Sequence, residues 1–243
     1  MVLHIKKTSQ IRSKSLYSVL FLIMINGMIF IYVNQALASD LPQKNGDIAL
    51  CAPNFSNTMS LEIVLNQRRS VRFFCNESLT ITQLSQILWA AQGVTHANGF
   101  RTAPSAGALY PLDIYIIVSQ VKDIKEGIYH YIPDSHKLSP IQIGHFREAL
   151  YLATYKQKWV LQSPINLVIC GVFQKTTQKY GKRGYQYVYM EAGHVAQNIY
   201  LQTYALQLGT VEIGAFNDQD VMDILHIDAS SHPICIMPIG KPE

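Results

Sequence analysis

The chain has 243 residues, 49% of them hydrophobic and 15% charged. That is enough for one domain with a full core, too short for two ordinary ones, and too apolar for a disordered chain. The formal charge of +4 is misleading, because Lys6, Lys7, Arg12 and Lys14 precede the first acidic residue, Asp40, and beyond residue 38 there are 16 basic and 16 acidic residues. With no basic stripe and no nucleic-acid-binding motif in that neutral body, nucleic acid is not expected as a partner.

A basic stretch (6–14) runs into the apolar "LYSVLFLIMINGMIFIYV" (16–33) and then "QALASD", with an A-x-A-like cleavage site after Ala38. Residues 1–38 therefore read as a secretory signal peptide. The apolar stretch is near bilayer-spanning length, so an uncleaved anchor through 16–33 is the alternative. Either reading places the body outside the cytoplasm, periplasmic or secreted, with membrane as a partner only if the leader is kept. Residues 39–58, polar with Pro and Asn, are expected as a tether, leaving 59–243 as the folded domain.

"MSLEIVLNQRRS" has Leu61, Val64 and Leu65 at helical spacing, which puts the arginines at a helix C-terminus. "SLTITQLSQILWAAQG" is the clearest helix: Thr80 and Gln83 fit a capping box and Gly93 ends it. "GVTHANGFRTAPSAGALYP" is a loop with a short turn. Strands are expected at 112–119, 127–132, 165–173 and 232–240, and "TVEIGAF" is a strand running into a turn. Helices are expected at 145–160, 185–209 and 218–227. The 185–209 helix carries small and apolar residues on most faces, which predicts burial on all sides, as a central or subunit-interface helix. Without a regular βαβ rhythm, the class is α+β.

The four cysteines show no metal-ligand spacing. Cys170 and Cys235 lie in apolar runs and read as core residues. A Cys51–Cys75 disulfide is left open.

Three of the chain's seven arginines fall in "RRSVR", residues 68–72. Arginine forks bind phosphate oxygens bidentately, and Ser70 adds a donor; a solvated basic turn fits the spacing equally well. No P-loop and no G-x-G-x-x-G is present. Pro104, Ser105, Ala106 and Gly107 form a small-residue turn that lets backbone approach a flat ligand, or an ordinary loop-to-helix turn. Lys179 and Tyr180 in "KYGKRGY" are a candidate proton-transfer pair, expected partly buried in a Gly-bounded loop beside Arg183. His194 reads as a core histidine. Gly214 and Ala215 offer backbone N–H groups, and Lys241 is a late cation.

In this order these segments resemble the nitroreductase superfamily, in its SagB/ThcOx-type dehydrogenase branch, over about residues 60–243. The resemblance implies a nitroreductase-like α+β fold, with a central mixed or antiparallel sheet flanked by helices, and a homodimer that binds FMN. It implies that Arg68, Arg69, Ser70 and Arg72 hold the phosphate, ribityl chain and ring edge. Pro104, Ser105, Ala106 and Gly107 would pack on the ring from the other subunit. Gly214 and Ala215 would face the reacting side, Lys241 would assist the phosphate, and Lys179 and Tyr180 would move protons. The implied activity is dehydrogenation of a small or peptidic, azoline-like heterocycle. The alternatives are an NAD(P)H-type nitro or quinone reductase, or a flavin-binding interaction module without turnover.

Overall fold

A computed structural model describes residues 46–56 and 59–243. The strands are β1 (Ile48–Ala49), β2 (Leu112–Val118), β3 (Gly127–Ile132), β4 (Lys137–Ile143), β5 (Ile165–Gly171), β6 (Gly209–Thr210) and β7 (His232–Gly240). They form one sheet in the order β1-β4-β3-β2-β5-β7-β6, with every named pair antiparallel. The helices are α1 (Leu61–Gln67), α2 (Ile81–Gln92), α3 (Arg147–Ala153), α4 (Lys158–Gln162), α5 (Phe173–Tyr180), α6 (Arg183–Ala205) and α7 (Asp218–Leu225).

The continuous apolar run of β5 has its physical reason in this order. Every residue of the strand is buried, between β2 and β7 and beneath helices on both faces. On one face Leu84, Leu88 and Ala91 of α2 join Val188, Val195 and Ile199 of α6. On the other, Leu150, Val160, Val221 and Leu225 come from α3, α4 and α7. Each fully buried Leu, Ile or Val side chain contributes roughly 1.5–3 kcal/mol.

Helix α2 starts as its sequence predicts. The Thr80 hydroxyl accepts from Gln83 N at 3.2 Å, and Gln83 Oε1 accepts from Thr80 N at 2.9 Å. It ends at Gly93 for a reason other than left-handed backbone: a Cβ there would lie 2.3 Å from the Trp89 ring.

The tether ends earlier than expected. Ile48 and Ala49 pair with Leu138 and Lys137, and Asp47 binds Lys137 Nζ at 2.8 Å. Cys51 N donates to Ser85 Oγ at 2.9 Å, and Phe55 packs edge-on against Trp89. Residues from 47 to 55 thus belong to the domain. The expected 145–160 helix divides into α3 and α4, because Tyr155 and Lys156 adopt φ of 53° and 61°. Strand β4 was hidden by Pro140, which sits opposite Tyr129 beside a register shift.

Helix α6 begins at Arg183 and ends at Ala205, and it is not buried all round. Val188, Ala192, Val195 and Ile199 face the core, whereas Tyr185, Tyr189 and Met190 are half exposed or more. All four cysteines are free, with Cys170 and Cys235 buried as expected. Cys75 Sγ donates to Pro242 O, and Cys51 Sγ lies near Thr82 Oγ1.

Candidate active site

The arginine segment follows directly from the end of α1. Arg68 N closes the helix on Val64 O at 2.9 Å. Arg69 Nη1 donates to the carbonyls of Asn66 (2.9 Å) and Arg68 (2.7 Å), so this guanidinium caps the last turn. The chain then runs extended beside β6, with Val71 N donating to Thr210 O at 2.9 Å. Gly209 is required there, since a Cβ would come within 2.7 Å of the Val71 side chain.

Tyr200 of α6 organises this end of the site. Its hydroxyl accepts from Glu212 N at 2.7 Å and lies 3.1 Å from Ser70 Oγ. The Arg68 guanidinium stands 5.2 Å from its ring centroid, a cation–π distance. A cavity of about 270 Å³ opens here, lined by Arg68, Arg69, Tyr200, Tyr204, Gly209 and Pro242 among others. None of Arg68, Arg69 and Arg72 forms an ion pair with another described residue. Arg72 does not line the cavity; its guanidinium stands 5.7 Å from the centroid of the Trp159 ring. Lys241 is engaged by Glu77 at 2.7 Å, although the next residue, Pro242, lines the cavity. Gly214 and Ala215 lie on an exposed loop after Ile213, which bonds Ile236 in both directions, and Ala215 O accepts from Gln157 Nε2 at 2.9 Å.

The second group of expected residues gathers elsewhere. The turn from Ser105 to Tyr110 is tightly wound, with positive φ at Gly107 (64°), Ala108 (54°) and Tyr110 (44°). Non-glycine residues in that region cost on the order of 1–3 kcal/mol each and persist only where their surroundings hold them. A Cβ on Gly107 would lie 2.6 Å from the Tyr180 hydroxyl and 2.8 Å from Lys179 Nζ. The glycine therefore makes the room into which both side chains reach. Lys179 and Tyr180 are the last residues of α5 and not part of a loop, and the reversal into α6 comes at Gly181 with φ of 57°. Gly184 lets α6 pack directly on the Thr177 backbone. Tyr180 meets the Tyr187 ring edge-on at 5.1 Å, and Arg183 stands over Tyr187 at 5.9 Å. Lys179 is exposed, not partly buried as expected.

One helix residue was misjudged from sequence, and another was not singled out. His194 is exposed and not a core histidine. Glu191 is buried, and Gln92 Nε2 donates to its Oε1 at 3.3 Å. Burial pushes this carboxyl above its ordinary range, against the lowering by Ser105, Gln92 and the charges of Arg101 and Lys175. The signal was available, since a glutamate shares the buried stripe of Gly184, Val188, Ala192 and Val195.

Glu191 and Tyr200 anchor the two groups on one helix. Nine residues of helix separate them by about 14 Å along the axis and half a turn around it. The chain thus joins Pro104–Gly107 with Lys179 and Tyr180 at one place, and Arg68, Arg69 and Ser70 at another.

The nitroreductase family model matches residues 65–241, which span both groups. The chain belongs to the nitroreductase family. It is 48% identical over 186 residues to a protein of Methanocaldococcus jannaschii named as a nitroreductase, covering 75% of this chain and 91% of that protein. It is 26% identical over 191 residues to the microcin B17-processing protein McbC of Escherichia coli, covering 74% and 70%. Among solved structures, a nitroreductase-titled protein of Ralstonia eutropha superposes with a TM-score of 0.72 at 28% identity, over 84% of this chain and 92% of that one. The E. coli microcin synthetase McbBCD complex, with truncated pro-MccB17 bound, gives a TM-score of 0.64 at 25% identity, over 82% and 79%. This nitroreductase-family chain is therefore an oxidoreductase with relatives in microcin processing.

The same findings correct the expected export and anchoring. That expectation rested on residues 1–38, which lie outside the described residues and outside the family match. No described helix is long and apolar enough to cross a membrane. Export and anchoring therefore draw no support from the described residues.

Proposed function

We propose that this protein is an FMN-dependent dehydrogenase of the SagB type, acting as a homodimer on an azoline-like heterocycle in a small or peptidic substrate. The observation that carries the reading is the convergence of Lys179 Nζ and the Tyr180 hydroxyl on the space beside Gly107. Aromatising an azoline removes a hydride and a proton from adjacent ring carbons, so the substrate needs an electron-pair acceptor and a base. Bound FMN supplies the acceptor. Lys179 and Tyr180 supply the proton-accepting side, with Tyr180 oriented by the Tyr187 ring.

The residues fit a phosphorylated flavin. Arg68 and Arg69 bring donors without an acidic partner to one cavity, where a dianionic phosphate gains charge-assisted bonds of roughly 1.5–3 kcal/mol each. Ser70 adds a hydroxyl beside them. Arg72, Lys241, Gly214 and Ala215 remain in the proposed binding set, with Lys241 exchanging Glu77 for phosphate.

A volume of about 270 Å³ is below that of a site enclosing a drug-sized ligand. One chain thus offers a phosphate end without its reacting face. A second copy supplies the face: its Pro104–Gly107 turn with its own Lys179 and Tyr180. The exposed Tyr185, Tyr189 and Met190 of α6 give an apolar surface for that contact. A groove of about 710 Å³, lined by Leu61, Val64, Trp89, Leu201 and Leu206 among others, continues it along the same helix.

The bound precursor in the E. coli McbBCD complex supports a peptidic substrate. The 48% identity to a nitroreductase-named protein supports a second reading, reduction of nitro or quinone acceptors by NAD(P)H. Anaerobic mixing of flavin-loaded protein separates them. Bleaching by a thiazoline or oxazoline peptide but not by NAD(P)H is expected; the reverse pattern makes the protein a reductase.

A further inference from the structure

We infer that Gln157 is a positioning residue: it holds the Ala215 carbonyl and so sets the direction in which the 214–216 loop presents its backbone N–H groups to a ligand. The inference rests on the reading that this loop faces the reacting side of bound FMN.

Gln157 opens α4 at the strained break that follows α3. Tyr155 and Lys156 there are left-handed, with φ of 53° and 61°, and such residues persist only where their surroundings hold them. A polar side chain at the N-cap usually accepts from the first turn of its own helix. The Gln157 side chain makes no such bond. Its Nε2 donates instead to Ala215 O at 2.9 Å, 58 residues away. The same short helix carries Trp159, whose ring centroid lies 5.7 Å from the Arg72 guanidinium. Helix α4 thus touches both Arg72 and the 214–216 loop, members of the proposed binding set that do not line the Arg68 cavity.

The loop is pinned on both sides and open between. Ile213 bonds Ile236 in both directions, and Asn217 N donates to Ala153 O at 2.8 Å. The amides of Gly214, Ala215 and Phe216 donate to no described residue. A Cβ on Gly214 would meet nothing within 4 Å, and its φ is not positive. Neither packing in this chain nor backbone conformation requires glycine there, so the missing side chain leaves room for a group from outside the chain. The Phe216 side chain is buried with Ala153 and Val160, which leaves the Ala215–Phe216 peptide plane as the part able to rotate. That bond is trans, so its C=O and N–H point in opposite directions. Holding the carbonyl on Gln157 turns the Phe216 N–H away from α4 and opposes a flip of the plane.

The test is amide hydrogen exchange with and without FMN, with bound flavin followed by absorbance and no turnover involved. In wild type, FMN is expected to slow exchange at Phe216 by roughly tenfold or more, the worth of a hydrogen bond. Gln157→Met, of similar length but without a donor, is expected to lose most of that protection. Gln157→Lys, which keeps a donor at similar reach, is expected to retain it to within about threefold. Gln157 is part-exposed, so neither change disturbs the core. The hold itself is read without flavin: Gln157→Met should speed exchange at Asn217, next to the held peptide, by roughly threefold or more. Equal protection of Phe216 in wild type and Gln157→Met, equal loss in Gln157→Met and Gln157→Lys, or unchanged exchange at Asn217 in Gln157→Met overturns the inference. Failure of the functional reading is seen separately: wild type that binds no FMN sinks that reading, and exchange at Asn217 still decides whether Gln157 holds the loop.

Discussion

Replacing Gly107 by alanine perturbs the proposed reacting face without removing any group from it. The new Cβ would stand 2.6 Å from the Tyr180 hydroxyl and 2.8 Å from Lys179 Nζ. Ordinary contact begins near 3.5 Å, so both tips must retreat by about 1 Å. They are ends of flexible side chains and move more easily than the turn. The backbone cost is separate: alanine at φ of 64° is unfavourable by about 1–2 kcal/mol. For a domain of this size each kcal/mol lowers Tm by about 2–4 °C, so a fall of about 2–8 °C is expected. A displacement of about 1 Å in a catalytic group costs on the order of 10²-fold in rate. The assay is a thermal melt, a flavin absorbance spectrum and turnover on one preparation. Gly107→Ala should melt slightly lower, keep its flavin and lose about 10²-fold in kcat. Turnover within a few-fold of wild type, with flavin retained, refutes the assignment of Lys179 and Tyr180.

Arg68→Ala should give a folded, colourless protein, because it removes charge-assisted bonds and leaves the buried core intact; full FMN occupancy at micromolar concentration would show that the phosphate lies elsewhere. Lys179→Ala and Tyr180→Phe should keep yellow FMN but lose substrate-dependent flavin reduction by roughly 10²–10⁴-fold, while reduction by dithionite is unchanged. Glu191 has a folded-state pKa raised above its ordinary 4.5, so its stabilisation is full below that value and is lost as pH rises through the raised one. Denaturant titration should accordingly show wild type losing stability relative to Glu191→Gln as pH rises from 4; wild type gaining stability relative to Glu191→Gln over the same range would contradict it.

Patterns with a local cause were legible in the sequence. The Thr80/Gln83 box, the β3 limits and the buried run of β5 each follow from spacing, capping or uninterrupted hydrophobicity. Features set by distant partners were not. β1 exists because β4 offers it an edge, and β4 was hidden by its proline. The left-handed Tyr155 and Lys156 carry no glycine to announce the break between α3 and α4. In the site, residue types pointed to the arginine cavity, yet Arg72 and Lys241 take other partners, Trp159 and Glu77. Glu191 was passed over because its partner, Gln92, lies 99 residues away in sequence, and only the packing of α2 against α6 joins them.

The central claim is that each reaction centre takes its arginines from one subunit and its turn, Lys179 and Tyr180 from the other. Mixed dimers test it directly, with Arg68→Ala on one differently tagged subunit and Lys179→Ala on its partner. Both homodimers should be inactive. The purified heterodimer should recover about half of the wild-type turnover and bind about one flavin per dimer, since one of its two sites then combines an intact arginine end with an intact pair. A heterodimer as inactive as its parents, with flavin bound, would mean that both sets act within one chain and would contradict the two-chain site.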